Sequence, residues 1–110
     1  MMNKPKIDRK QEQIERITVN EARLDRCTAA LAILEQALQG YADVQQDLLD
    51  LESYYESPTW ISDKDAQEKG ALPADLKCGV LSEDAVFNML TDNKELCVAM
   101  AEFLAALKNR

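Results

Sequence analysis

The sequence predicts an all-α fold, and three observations carry that prediction. Only three glycines and three prolines occur in 110 residues, too few for the turns of a small all-β fold. Between Asp8 and Glu56 there is no proline, and Gly40 is the only glycine. Over the same span Ile14, Ile17, Leu24, Cys27, Leu31, Leu34, Leu38 and Tyr41 recur at intervals of three, four and seven. That spacing lays one apolar stripe along one helical face. The composition, 46% hydrophobic and 30% charged, suits a single domain with one modest core, and neither disorder nor a membrane protein.

The stripe defines one long helix over residues 11–56, with residues 1–10 read as a disordered tail. Beyond Gly40, Val44, Leu48, Leu51 and Tyr55 continue the stripe with a slight change of phase. Glycine inside a helix costs about 1 kcal/mol against alanine, which weakens or bends the helix without ending it. A single helix kinked at Gly40 is therefore the first reading, and two antiparallel helices folded back at Gly40 are the alternative. Unbroken, the helix would reach roughly 70 Å at 1.5 Å per residue, more than the remaining residues can cover. Residues 1–26 hold seven bases and five acids, whereas residues 27–56 hold six acids and no base. This order opposes the helix dipole. Antiparallel pairing of two copies would set each basic half beside an acidic half, and a solvated acidic face without a partner is the competing explanation.

Residues 57–81 read as a loop-rich segment with one short helix. Ser57-Pro58 should stop the long helix, because the residue before proline avoids helical geometry. Ser62 can cap the short helix, with Asp65 completing a capping box and Gly70 at the C-terminal stop. Leu72-Pro73 opens a connection to Gly79. Residues 82–110 read as two helices. Ser82 caps the first, with Glu83 and Asp84 in its dipole-favoured first turn and Val86, Phe87 and Leu90 facing the core. Asp92 or Asn93 caps the second, whose stripe is Leu96, Met100, Phe103 and Leu107 and whose C-terminus suits Lys108 and Arg110.

Several function classes are disfavoured. No apolar run nears the roughly 18 residues that span a bilayer, and "MMNKPKIDRKQEQ" lacks the apolar core of a signal peptide, so the expected location is the cytoplasm. Cys27, Cys78 and Cys97 are odd in number and lack a CxxC spacing. They read as reduced thiols, with Cys27 and Cys97 as small core residues. The chain has no histidine, which removes the commonest general base and the commonest metal ligand. No cofactor and no metal is expected. Asp63 and Asp65 imitate the first calcium-loop ligands, but the sixth position is Glu68 and the twelfth Ala74, so that match fails. The net charge of -7 argues against nucleic acid. The basic stretch Lys4, Lys6, Arg9 and Lys10 offers an accessory contact to a nucleic-acid machine, and a solvated tail accounts for it more simply.

The best candidate site is "YYESPTWISD", where three of the chain's six aromatic residues fall within seven positions. Tyr54, Tyr55 and Trp60 can wall a pocket in which Asp63 supplies a charge, with Lys77 nearby. The structural alternative has Trp60 folding back over the helix end and Asp63 satisfying loop donors. Lys77 and the amides of "LPADLKCGVLSED" suggest an anion site, but Glu83 and Asp84 already occupy that helix start, which reads as capping.

Tyr54-Tyr55, Ser57, Trp60, Asp63, Gly70, Leu72-Pro73, Asp75-Leu76-Lys77 and the run Gly79 to Asp84 resemble a family of small bacterial proteins catalogued as a domain of unknown function. The likeness is specific over roughly residues 50–90, and Cys78 departs from it where the pattern places a basic residue. The resemblance implies a bacterial cytosolic protein and brings no reaction or binding residue with it. The functional expectation is a non-enzymatic helical interaction module, a homodimer or the binder of a helical partner. Its surface is Ile17, Leu24, Leu31, Leu34 and Leu38. The alternative is a small-molecule or peptide-binding protein, or an enzyme, built on the Trp60/Asp63 region.

Overall fold

The computed structural model describes the backbone from Lys6 and the side chains from Asp8 to Arg110. Among the described residues the fold is all-α, without strands: α1 is Lys6–Asp43, α2 Gln45–Tyr55, α3 Pro58–Glu68 and α4 Glu83–Lys108, with a 3-10 turn at Gly79–Leu81 before α4. The chain divides after Asp43 into two units, residues 1–43 and 44–110.

The first unit is α1. It starts at Lys6, inside the stretch expected to be a tail; residues 1–5, and with them Lys4, lie outside the described residues, as does the Lys6 side chain. The helix runs through Gly40 without a break and ends at Asp43. A cost of about 1 kcal/mol at one glycine is absorbed by a flank of alanine, leucine, glutamate and glutamine, all good helix formers. The α-helix is interrupted instead at Val44, whose backbone sits at φ -100, ψ 7. Side-chain bonds on α1 include Thr18 Oγ1 to the Ile14 carbonyl (2.8 Å), Asn20 Nδ2 to the Arg16 carbonyl (2.8 Å) and Gln39 Nε2 to Asp43 Oδ1 (2.8 Å). Each reaches one turn along the same helix, so none of them covers its stripe.

The second unit packs α2 against α3 and α4, and the 3-10 turn against α3 and α4. Its core is small: Leu81 and Val86 keep only 4% and 3% of their surface exposed. The ends of its helices are chemically specified. Ser57, extended at φ -90, ψ 154, accepts from the Trp60 amide at 3.3 Å and has Pro58 behind it at the first helical position. Proline there lacks only an N–H that the helix could not have used. This makes Ser57 the cap in place of Ser62, which lies within α3. At the other end Gly70 adopts φ 71, the Gly70 amide donates to the Gln67 carbonyl (3.0 Å) and the Ala71 amide to the Ala66 carbonyl (2.9 Å). These are the two bonds of a Schellman stop, whose left-handed residue favours glycine.

Ser82 caps α4, accepting from the Ala85 amide at 3.4 Å. Two helices were expected after Ser82, and one is found. Asp92 and Asn93 lie inside α4, because each costs only about 0.7 kcal/mol in a helix interior, less than a break would forfeit. Only the start of α4 is buried. Phe87, expected in the core, is exposed, as are Leu96, Met100 and Phe103. Cys27 and Cys97, expected as core residues, are exposed too, while Cys78 is half-buried; among the described residues no disulfide joins them.

Candidate functional site

The aromatic cluster sits where α2 turns into α3. Tyr55 closes α2 and Trp60 lies in the first turn of α3, so the five-residue step around Ser57-Pro58 brings the rings together, 5.1 Å apart and edge-to-face at 73°. That geometry sets a positive ring edge against a negative ring face. Trp60 then reaches across to the segment that leads into α4. Its Nε1 donates to the Val80 carbonyl at 2.9 Å. Lys64, one turn further along α3, holds its Nζ 5.5 Å from the Trp60 ring centroid and donates to the Leu81 carbonyl at 3.2 Å. The same Nζ lies 3.9 Å from Glu83 and 3.8 Å from Glu68. Two side chains of α3 thus satisfy consecutive carbonyls at Val80 and Leu81, and the Leu81 side chain is itself buried. Tyr55 adds a long contact, its hydroxyl 3.4 Å from the Glu83 carbonyl.

Tyr54 points elsewhere. Its hydroxyl donates to Asp63 Oδ2 at 2.5 Å, a charge-assisted bond. That bond holds the Tyr54 phenol above its ordinary value of 10.0, and desolvation, the Asp63 charge and Cys78 act in the same direction. Tyr54, Asp63 and Lys77 line one cavity of about 270 Å³ together with Leu72, Leu76, Cys78, Val80 and Leu81. Tyr55 and Trp60 do not line it. Of the five residues expected to form a site, the fold therefore gathers three around a cavity and uses two to fasten the α2–α3 turn to the start of α4.

Lys64 and Cys78 were not expected at the site. Lys64 carried a signal, since it lies four residues after Trp60 and so on the same face of a helix. Cys78 carried none, because the return of residues 72–81 onto α3 depends on contacts distant in sequence. Among the described residues no group of three His, Cys, Asp or Glu side chains is placed to hold a metal ion, and no helix is long and apolar enough to cross a membrane.

The second candidate surface is the α1 stripe. Ile17, Leu24, Leu31, Leu34 and Leu38 are all more than half exposed, Leu31 at 66%. They share one face of a unit that contains no other described element.

The family described as a domain of unknown function (DUF4298) matches residues 17–103. The chain belongs to it. No curated protein and no solved structure matches the chain. The DUF4298 match begins at Ile17, at the head of the exposed stripe, and takes in the whole Tyr54–Leu81 cavity. The motif residues from Tyr54 to Asp84 fall inside it.

Proposed function

We propose that the protein is a cytoplasmic, non-enzymatic interaction module that self-associates through α1. The observation that carries this reading is the stripe Ile17, Leu24, Leu31, Leu34 and Leu38. A 38-residue helix has no way to bury its own apolar face, and most helical stability in proteins comes from packing such a face. Burying a leucine or isoleucine contributes about 1.5–3 kcal/mol, so leaving five of them in water forgoes a large stabilisation. A second copy supplies an identical stripe of the same length. The unlinked thiols suit a reducing compartment. The lack of histidine, and the engagement of Asp63 with Tyr54, speak for a structural rather than a catalytic use of the polar groups. Leu31→Asp places a charge in the middle of the stripe. Dissociation of this variant in sedimentation velocity is the expected result, and an unchanged oligomer contradicts the reading.

The cavity supports a second reading, a small-ligand site. Tyr54 and Asp63 face Lys77 around a mainly apolar wall, which gives one ligand both a surface to bury and two charges to orient it. Its volume of about 270 Å³ falls below the roughly 300–1,000 Å³ of typical ligand pockets, which ranks this reading second. Trp60 is the only tryptophan, and its indole is bonded to Val80, a cavity residue. A saturable change in its fluorescence on titration with small metabolites would support the site, and a flat response across the set would exclude those ligands.

A further inference from the structure

The self-association proposed above leaves the orientation of the two copies open, and the flanks of the stripe decide it. We infer that two α1 helices pair parallel and in register, with Cys27 of each copy meeting Cys27 of the other. Ile17, Leu24, Leu31 and Leu38 stand at intervals of seven, and Cys27, Leu34 and Tyr41 each follow one of them by three. These are the a and d positions of a two-stranded seam. Arg16 and Arg23 then border the seam on one side, at g positions, and Glu21 and Glu35 on the other, at e positions. In a parallel pair each g side chain approaches the e side chain five residues further along its partner, so Arg16 meets Glu21 of the second copy, twice by symmetry. In an antiparallel pair a residues face d residues, and e positions approach e positions. With Leu24 opposite Leu34 of the second copy, Glu21 falls beside Glu35, again twice, and neither arginine gains an acid. Parallel pairing has two attractions where this antiparallel register, the one that overlaps the whole stripe from Ile17 to Tyr41, has two repulsions.

The charge order along residues 1–56, which favoured the antiparallel arrangement, is much weaker on this helix, where residues 27–43 keep two acids and no base. Of the six acids in residues 27–56, Asp47, Asp50, Glu52 and Glu56 lie beyond α1, in the second unit. Only Glu35 and Asp43 remain on α1. Cys27 is exposed on the seam face and carries a thiol, so the parallel register sets two thiols side by side across the two-fold axis. Treatment with diamide joins them: each sulfur gives up its proton, an S–S bond forms, and the two electrons and two protons reduce diamide to its hydrazine.

The experiment uses the full chain. Arg16→Glu should weaken the dimer roughly tenfold in sedimentation velocity, and Arg16→Glu with Glu21→Arg should restore it, because the two residues lie five apart and do not face each other within one helix. Peptide mapping after diamide should find the Cys27–Cys27 disulfide. A wild-type dimer with no rescue by the double exchange and with Cys27 still reduced overturns the parallel register and leaves self-association standing. A wild-type monomer overturns both.

Discussion

The two units of this chain solve the same problem by opposite means. In residues 44–110, the unit's own turns bury Leu81 and Val86 where the 3-10 turn meets α3 and α4 and α4 meets α2, although Phe87, Leu96, Phe103 and Leu104 of α4 stay exposed, and Trp60 and Lys64 satisfy the carbonyls that the turn would otherwise strand. In residues 1–43, a longer and more regular apolar stripe is left uncovered by its own unit. The difference teaches that regular periodicity by itself specifies an element and a face, whereas a covered core needs chain reversals. The second unit has three such devices in Ser57-Pro58, Gly70 and the 3-10 turn. The first has none, and its own unit leaves the stripe uncovered.

The comparison can be broken first at the core. Leu81→Ala removes a nearly fully buried side chain from the smaller core and should cost about 2–4 kcal/mol. Urea unfolding should show the loss while sedimentation still shows the oligomer, provided that the variant stays folded. A loss of oligomer with the core intact would mean that the second unit, not α1, carries the association.

A smaller effect belongs to α1. Gly40 is helical, and a methyl group there would meet nothing within 4 Å beyond the adjoining backbone of its own helix. Gly40→Ala should stabilise α1 by about 1 kcal/mol, seen as higher helicity or a higher melting temperature, without change in the second unit. Destabilisation would show that the close approach of another chain requires a glycine at that point.

The smallest effect is at the cavity. Tyr54→Phe removes the hydroxyl bonded to Asp63, at a solvent-screened site. The folded phenol titrates above 10.0, so its contribution is complete below pH 10 and is lost as pH rises through the folded value. Wild type should therefore lose more stability than Tyr54→Phe when urea unfolding is compared between neutral pH and pH above 10. Parallel losses would show that the bond contributes nothing.

Much of this fold was legible in the sequence, and the failures share a cause. Ser57-Pro58, Gly70 and Ser82 act through their own backbone geometry, and each marks a helix end in the structure. Ser62, Asp92 and Asn93 are equally good caps in isolation, yet they sit inside helices. A cap contributes about 1 kcal/mol, and a proline placed at the first helical position, or a leucine- and alanine-rich flank, outweighs it. Val44 could not have been found, because neither glycine nor proline marks it. At the site, the Tyr54–Asp63 bond spans nine residues across the α2–α3 connection and was within reach of local reasoning. The Trp60–Val80 bond spans twenty and depends on the path of the intervening loop. Exposure of Phe87, Leu96 and Phe103 was illegible for the same reason: a stripe shows which face is apolar, and only the tertiary path shows whether anything covers it.

The central claim is that the α1 stripe is covered by a second copy. Sedimentation velocity of the wild-type chain beside Leu31→Asp tests it most directly. The account predicts twice the chain mass for wild type and a folded monomer for Leu31→Asp, with the fluorescence of Trp60 unchanged between them. A monomeric wild type, or a Leu31→Asp variant that remains dimeric, would contradict it.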